Sequence, residues 1–313
     1  MSRVSERFGF CMHSTLSKPF LLFERFKSRR SFSDGFHKAN ELLPVKKSHV
    51  RDNNTKVFLI GAGPGDPDLL TMKAYQVMQT ADVALVDWLV NHEIRKLLPR
   101  SVEQIFVGKK CGKHAMTQEA ICQLMVELAK QGRRVVRLKG GDPAIFARIA
   151  EECEVLQAHR IPYLVIPGVT AATGASAYAG IPLTDRECAQ SVRFVTAHLK
   201  KGQSLRRWPQ LQSYTVNETL VIYMGLAALQ AITEQLKRIG MPKTTPVAVI
   251  DQATLADQQV ITGNLGDIAR KIASANFEGP SLIIIGEVVN RRNPNFCVSN
   301  DMIRGKFPLN RPV

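Results

Sequence analysis

The sequence predicts an α/β protein with two domains, the first built on a mainly parallel sheet and the second on a mixed sheet. The chain has 313 residues, which is about the length of two domains. Between residues 56 and 168, apolar runs alternate with amphipathic segments, as in sheets whose parallel strands are joined by helices. After residue 168 fewer helical segments separate the strands, which favours a mixed sheet. We therefore place the domains at 56–168 and 169–295, between an extension (1–55) predicted to be disordered and a tail (296–313).

The first domain is predicted to contain five strands and three helices. The run Val57–Ile60 is continuously apolar, which is typical of a strand that is buried on both faces. Asp68 is predicted to cap the first helix, and Thr117 the second, whose apolar residues recur at helical spacing. The third helix is predicted over Ile145–Ala158. The other strands are predicted at Val83–Val86, Gln104–Val107, Arg134–Leu138 and Tyr163–Ile166.

The second domain begins with Thr170–Ala179, whose small residues predict a tight helix beside a ligand or a domain joint. Further helices are predicted at Leu226–Arg238 and Leu265–Ala273. Its strands are predicted at Val192–Ala197, Thr219–Tyr223, Val247–Ile250, Gln259–Thr262 and Leu282–Ile285.

Three predicted strands of the first domain run directly into glycine corners. These corners are Gly61–Gly65, Gly140–Pro143 and Pro167–Gly168. Glycine lets a ligand approach the main chain, and ligands of open α/β sheets bind at the carboxyl ends of the strands. The first corner is not a dinucleotide fingerprint, because its third glycine comes one residue early and Pro64 interrupts the start of a helix. We expect the three corners to converge on one ligand.

The charge of the chain indicates an anionic partner. The formal net charge is +15, and it is distributed over the whole chain: residues 1–55 hold 11 Lys and Arg against 5 Asp and Glu, and the rest hold 31 against 22. Aromatic residues make up only 7% of the chain and no dense basic stripe occurs, which favours a compact polyanion over nucleic acid.

Cysteine spacing and hydropathy indicate a cytoplasmic protein without a metal centre or a membrane span. The six cysteines form no C-x-x-C pair, so they are interpreted as free thiols in a reducing compartment. No apolar run approaches the ~18 residues that cross a membrane. Residues 1–55 are basic and rich in Ser, but they carry more acids than an organellar transit peptide usually does.

The ordered set of motifs resembles the uroporphyrinogen-III C-methyltransferases, within the tetrapyrrole methylases, from about Lys56 to about Arg292. Besides the three corners, the resemblance rests on shorter segments in the same order. They are Ala81–Val83, Asp87–Val90, Val107–Lys110, Ala179–Thr184 and Tyr223–Gly225. The family's fold implies a cofactor cleft between the two domains. Some members carry a further dehydrogenase and ferrochelatase module, which 55 residues cannot hold, so we expect this chain to be monofunctional.

The resemblance implies that S-adenosylmethionine binds in the cleft, with S-adenosylhomocysteine as product. The implied cofactor contacts come from the glycine corners and from the second domain. They are Gly61, Gly63, Pro64, Gly65, Gly140, Gly141, Asp142, Ile145, Thr170, Ala171, Met224 and Ala253.

The resemblance also implies a proton acceptor at Asp87 and a proton donor at Lys109. Each of these residues ends a predicted strand, and the apolar run before Asp87 suggests apolar surroundings that would favour proton acceptance. The implied substrate ligands are cations that would hold carboxylates: Arg137, Lys139, Arg148 and Arg186. Arg137 and Lys139 alternate with apolar neighbours, so we expect them to face one side.

Several residues depart from the family's pattern. Ala147, Ile149 and Ala150 replace glycines, which predicts a more regular helix there and an Ile149 side chain that intrudes on the cavity. Asp185 replaces a usual His, and Ala197 and Ala253 stand where glycine is common. We expect the fold to tolerate these changes, whereas the turnover rate and the choice of substrate depend on them more strongly.

The implied reaction is methylation of uroporphyrinogen III at C-2 and C-7, which gives precorrin-2 for sirohaem and cobalamin. The octacarboxylate substrate would account for the basic body of the chain. A homodimer is implied, with no nucleic acid or membrane partner. The alternatives are another precorrin methyltransferase, a ribosomal-RNA methyltransferase of the same fold, or a tetrapyrrole-binding protein without activity.

Overall fold

The computed structural model describes residues 56–108, 116–198, 215, 217–277 and 279–293. The predictions for the extension (1–55) and the tail (296–313), and for Lys109, therefore lie outside the described residues. Within them the chain forms two five-stranded sheets, the first parallel and the second mixed, so the predicted fold class is confirmed.

The first sheet is parallel throughout, with the strand order β3-β2-β4-β1-β5. All five carboxyl ends therefore lie along one edge, where the glycine corners follow. The central strands β1 and β4 are buried along their whole length, β1 as a continuous apolar run and β4 with Arg137 and Lys139 among its apolar residues. The strands are β1 (Val57–Gly61), β2 (Val83–Val86), β3 (Glu103–Phe106), β4 (Val135–Lys139) and β5 (Tyr163–Ile166).

Four helices accompany this sheet in the described residues. They are α1 (Met72–Met78), α2 (His92–Lys96), α3 (Gln118–Lys130) and α4 (Ile149–Ala158). The hydroxyl of Thr117 accepts the amide of Ala120 at 3.2 Å, as expected for the predicted cap of α3. The predicted cap of α1 was wrong. Asp66 caps a separate 3-10 turn (Pro67–Leu69), Leu70 is extended, and Thr71 caps the helix.

The segment before α4 is not helical, although the sequence predicted a helix from Ile145. Phe146 and Arg148 have left-handed backbone angles, with φ of 53° and 56°. A right-handed helix cannot continue through such residues, so α4 begins only at Ile149. The expected intrusion of Ile149 was also wrong, because its side chain packs against the hydrophobic core under α3.

The second sheet has the order β6-β7-β10-β8-β9. β6 and β7 are parallel, whereas the other neighbours are antiparallel, which makes the sheet mixed. Its strands are β6 (Ser191–Thr196), β7 (Glu218–Tyr223), β8 (Pro246–Asp251), β9 (Gln259–Asn264) and β10 (Ser281–Ile285). The accompanying helices are α5 (Ala171–Ala179), α6 (Leu229–Arg238) and α7 (Ile268–Ala273).

Helix α5 links the two sheets. Its small residues Ala172, Ala175 and Ala179 are buried in one cluster with Val221 and Ile284 of the second sheet. The amino end of α5 meets the corners of the first sheet, since a Cβ placed on Gly141 would lie 3.7 Å from the amide nitrogen of Ala171. The predicted tight helix at a domain joint is therefore found. No helix in the described ranges is long and apolar enough to cross a membrane.

Candidate functional site

The three glycine corners meet at one junction, whereas their expected convergence on one ligand stays a prediction. Gly63 and Gly141 exchange two backbone hydrogen bonds, at 3.1 and 2.7 Å. A Cβ on Gly61 would lie 2.6 Å from the amide nitrogen of Gly168 and 2.7 Å from the carbonyl oxygen of Gly141. No side chain fits at Gly61, so the main chains of three loops approach one another directly at the carboxyl edge of the first sheet.

Asp142 fastens this junction. Its Oδ1 accepts the amide of Ala144 at 2.8 Å, and its Oδ2 accepts the amide of Gly168 at 3.0 Å. Ile145 closes the turn by donating its amide to the carbonyl of Asp142 at 3.2 Å. Both carboxylate oxygens thus have backbone partners, and any role of Asp142 toward a cofactor stays a prediction.

The amino end of α5 contributes Thr170 and Ala171 beside the junction, and Met224 follows the end of β7. The hydroxyl of Tyr223 lies 2.7 Å from Oγ1 of Thr170 and accepts the amide of Ala172 at 3.1 Å. Burial raises the pKa of Tyr223, so the phenol stays protonated and holds the amino end of α5 in place. Met224 follows with a left-handed φ of 55° and a half-exposed side chain. The sequence analysis missed Tyr223, whose position before Met224 was the available signal.

The first corner also packs against the second sheet. A Cβ on Gly174 of α5 would lie 2.6 Å from Cγ of Pro64, and one on Gly65 would lie 3.1 Å from Oγ1 of Thr254. The amide of Asp66 donates to that Thr254 hydroxyl at 3.1 Å. Ala253 precedes Thr254 and is buried in the core of the second half, so its methyl group packs internally.

A cavity of about 460 Å³ opens beside the junction, at the ends of β2, β3 and β4. Gly108, the last described residue before Lys109, lines it, as does the segment before α4. Ala147, which we interpreted as a replacement of glycine, lines the cavity, and the Phe146 ring lies between the cavity and Tyr223, with ring centroids 4.9 Å apart. Four of the predicted site residues also line it: Asp87, Arg137, Lys139 and Arg148.

Arg137 and Lys139 face the same side of β4, as predicted, but both are 2% exposed and already paired. Glu152 of α4 accepts Nε of Arg137 at 3.2 Å and Nζ of Lys139 at 2.7 Å. Burial lowers the pKa of the Lys139 ammonium, as does the neighbouring guanidinium, whereas Glu152 opposes both effects. The sequence analysis placed no role on Glu152, which lies 13 and 15 residues from its partners.

Asp87 lies at the mouth of this cavity. Its Oδ1 accepts the amide of Trp88 at 2.8 Å, which forms a local turn, and its Oδ2 lies 3.5 Å from Nη2 of Arg137. The expected apolar surroundings were wrong, because a guanidinium faces the carboxylate. One third of the Asp87 side chain is exposed (33%), so a ligand can reach it.

The two remaining predicted cations differ in position. Arg148 is exposed and binds Glu151 with two hydrogen bonds of 2.7 and 2.6 Å, which lowers the pKa of that carboxyl. Arg186 is exposed on a turn closed by Asp185 and Ala189, and it is not among the residues that line the cavity. Within the described ranges, no group of three or more His, Cys, Asp or Glu side chains is arranged to hold a metal ion.

The fold is that of a two-domain α/β protein with a cavity at the carboxyl ends of its parallel strands, where ligands of such folds bind. A sequence model of the family described as Tetrapyrrole (Corrin/Porphyrin) Methylases matches residues 56–269. The chain therefore belongs to this family.

Curated relatives and solved structures agree with that assignment. The siroheme synthase of Pseudomonas fluorescens (strain SBW25) is 54% identical over 234 residues, which cover 75% of this chain and 50% of the relative. That of Stutzerimonas stutzeri (strain A1501) is 52% identical over 255 residues, 81% of this chain and 54% of the relative. The chain thus spans about half the length of the curated relatives it matches.

Among solved structures, a uroporphyrin-III C-methyltransferase from Thermus thermophilus, complexed with S-adenosylhomocysteine, matches with a TM-score of 0.63 and 36% identity. The match covers 75% of this chain and 99% of the other. A cobalt precorrin-4 methyltransferase matches with a TM-score of 0.65 and 26% identity, over 76% of this chain and 97% of the other.

Proposed function

We propose that this chain transfers methyl groups from S-adenosylmethionine to C-2 and C-7 of uroporphyrinogen III, giving precorrin-2 for sirohaem and cobalamin. The observation that carries the proposal is the glycine junction with a charged cavity directly beside it. The glycine junction suits a cofactor that is bound by main-chain groups, and the cavity suits a charged macrocycle. Phe146 lies between the two.

The junction fits the cofactor because Gly140 and Gly141 leave partly exposed main chain above the buried glycines of the Gly61–Gly65 corner, which would form the floor of the site. Gly141 has a φ of 67°, and the space in front of it reaches the amino end of α5 at Ala171. Gly61–Gly65, Gly140, Gly141, Thr170 and Met224 would hold the cofactor there. When bound, S-adenosylmethionine supplies a methyl group on a positively charged sulfur, which is a strong electrophile.

The cavity is large enough to take part of the macrocycle, and its wall carries an exposed cation. Its volume of about 460 Å³ lies in the range of small-molecule sites, roughly 300–1,000 Å³. Arg148 is an exposed cation of its wall and can exchange Glu151 for a substrate carboxylate. Arg137 and Lys139 are buried behind the wall of the cavity. We therefore infer that they set the charge and the shape of this wall and make little direct contact with the substrate.

Proton transfer completes the proposed chemistry. When a pyrrole carbon gains a methyl group from the sulfonium, the macrocycle gains a positive charge. Loss of a proton from the macrocycle then restores its neutrality. Asp87 is a partly exposed carboxylate of the cavity wall and would accept that proton. Lys109 would act as a proton donor to the macrocycle, and a proton that it adds must be balanced by a second one lost, so that one proton leaves overall for each methyl group transferred.

We also propose that the protein is a cytoplasmic homodimer. The cysteines Cys122, Cys153 and Cys188 are free thiols, which fits a reducing compartment. Light scattering coupled to size exclusion would test the dimer, since a monomeric mass at micromolar concentration contradicts it.

The test of the proposed function is methyl transfer from labelled S-adenosylmethionine to a panel of acceptors. We expect label in uroporphyrinogen III and none in ribosomal RNA or in a later precorrin offered alone. Gly141→Val should abolish transfer, because the branched side chain is strained at a positive φ and fills the space before Ala171. Label in RNA or only in a later precorrin would establish one of the alternatives, and binding without transfer would indicate a carrier.

A further inference from the structure

Glu152 is a fully buried carboxylate that no step of the proposed reaction uses. It lies in the first turns of α4 and has no exposed surface. Its Oε1 accepts three hydrogen bonds, from Nε2 of Gln118 at 3.2 Å, Nε of Arg137 at 3.2 Å and Nζ of Lys139 at 2.7 Å. Its Oε2 is buried too, and within the described ranges no donor reaches it.

This uneven pairing argues against a purely stabilising role. A buried ion cluster contributes little to stability even when every lone pair is satisfied, and an unsatisfied buried oxygen adds a desolvation cost. Apolar residues in place of Glu152, Arg137 and Lys139 together would avoid that cost, whereas removing Glu152 alone would leave two buried cations without their shared partner. The main contribution of the Glu152 carboxylate is therefore to orient its hydrogen-bond partners, Arg137 and Lys139.

The cluster is balanced in charge, two cations against two carboxylates. Arg137 is the shared member: its Nε binds Glu152 and its Nη2 lies 3.5 Å from Asp87. Its Nη1 donates to the carbonyls of Leu85 and Leu138, at 3.4 and 3.2 Å. Three hydrogen bonds, to Glu152, Leu85 and Leu138, thus fix the orientation of the guanidinium. Its Nη2 then faces Asp87, the candidate proton acceptor.

We propose that Glu152 is a positioning residue that holds Arg137 and Lys139 in the cavity wall and, through Arg137, fixes the Asp87 carboxylate. The inference rests on the proposed function. Without the charge of Glu152, two buried cations repel each other and Asp87 becomes their sole carboxylate within reach among the described residues. The guanidinium then closes on Asp87 and occupies the carboxylate that should face the substrate.

The test is Glu152→Gln, which keeps the shape of the side chain and removes its charge. The matched control is Glu154→Gln, an exposed residue of the same helix. We expect kcat for methyl transfer to uroporphyrinogen III to fall roughly 10²-fold in Glu152→Gln, as when a reacting group is displaced by about 1 Å. Affinity for S-adenosylhomocysteine by calorimetry should stay unchanged, and Glu154→Gln should match the wild type in both measurements.

A second pair of variants decides the question if Glu152→Gln does not fold. Lys139→Met combined with Glu152→Gln removes one charge of each sign, and it is compared with Lys139→Met alone. If Glu152 positions Arg137, kcat is lower in the double variant than in the single one. Equal kcat values in the single and the double variant would overturn the inference. So would a loss of activity in Glu152→Gln that is fully explained by a smaller fraction of folded protein. A wild type without methyl transfer would instead overturn the proposed function and this inference with it.

Discussion

Gly61→Ala should disrupt the glycine junction, because the added methyl group would meet only main-chain atoms. The added Cβ would lie 2.6, 2.7 and 2.8 Å from Gly168 N, Gly141 O and Gly168 Cα, all of them backbone atoms. Ordinary van der Waals contact begins at about 3.4 Å, so two loops must move by close to 1 Å. Because no flexible side chain can yield, the strain is borne by the main chain of β1 and both corners.

The expected cost is at the upper end of that for overpacked sites, about 3 kcal/mol. That is a large part of a total stability of about 5–15 kcal/mol, and it corresponds to a fall in Tm of roughly 6–12 °C for a domain of this size. Urea denaturation followed by circular dichroism would measure the loss. Calorimetry should also show that the folded variant has lost affinity for S-adenosylhomocysteine, since the loops that would hold it have moved.

Gly132→Ala is the control. Gly132 has a φ of 82° and nothing within 4 Å of the added Cβ, so it tests backbone strain without a steric clash. Its cost should be roughly 1–2 kcal/mol, and cofactor affinity should not change. If Gly61→Ala is as stable as Gly132→Ala and binds S-adenosylhomocysteine like the wild type, the junction does not hold the cofactor.

Three further predictions concern other parts of the chain. Asp87→Asn should lower kcat about 10²–10⁴-fold with little change in cofactor affinity, and a variant as fast as wild type would return Asp87 to a turn residue. Burial and the hydrogen bond to Asp66 raise the pKa of Tyr178 above its unfolded value of about 10, so the stability it contributes is complete below that pH and is lost as pH rises further. The free energy of unfolding should therefore fall less steeply above pH ~10 in Tyr178→Phe than in wild type, and equal slopes would contradict the shift. A truncated protein that begins at Asn54 should keep its fold and methyl transfer, and loss of either would mean that residues 1–53 contribute to the body or to the dimer.

The strands of both sheets could be predicted because most of them carry short apolar runs, although Arg137 and Lys139 interrupt the run in β4. The bounds of β5 match the prediction residue for residue, and β1 differs by one residue at its end. The three glycine corners were also predictable, because ligand sites of α/β folds lie at the ends of strands. Their convergence follows from the strand order, in which β1 lies between β4 and β5.

The local backbone before α4 could not be predicted from residue types. Phe146 and Arg148 take left-handed angles that such side chains rarely adopt, and tertiary contacts such as that between Phe146 and Tyr223 stabilise them. The neighbouring sequence is rich in good helix formers, so its local propensity predicts that the helix begins earlier than it does.

The buried cluster around Glu152 was missed for a different reason. Its members come from β2, β4, α3 and α4, and no spacing in the sequence shows that they meet. A signal was nevertheless present. Arg137 and Lys139 lie in a strand that is buried on both faces, and such cations require a carboxylate nearby.

The most direct test of the central claim is the position of the transferred methyl groups. The protein would be incubated with uroporphyrinogen III and S-adenosylmethionine carrying a ¹³C-labelled methyl group, and the product examined by NMR. The account predicts two labelled methyl groups, each bonded to a quaternary ring carbon, at C-2 and C-7. Label on nitrogen or oxygen, label at other ring positions, or an unlabelled macrocycle with a protein that binds S-adenosylhomocysteine would contradict it.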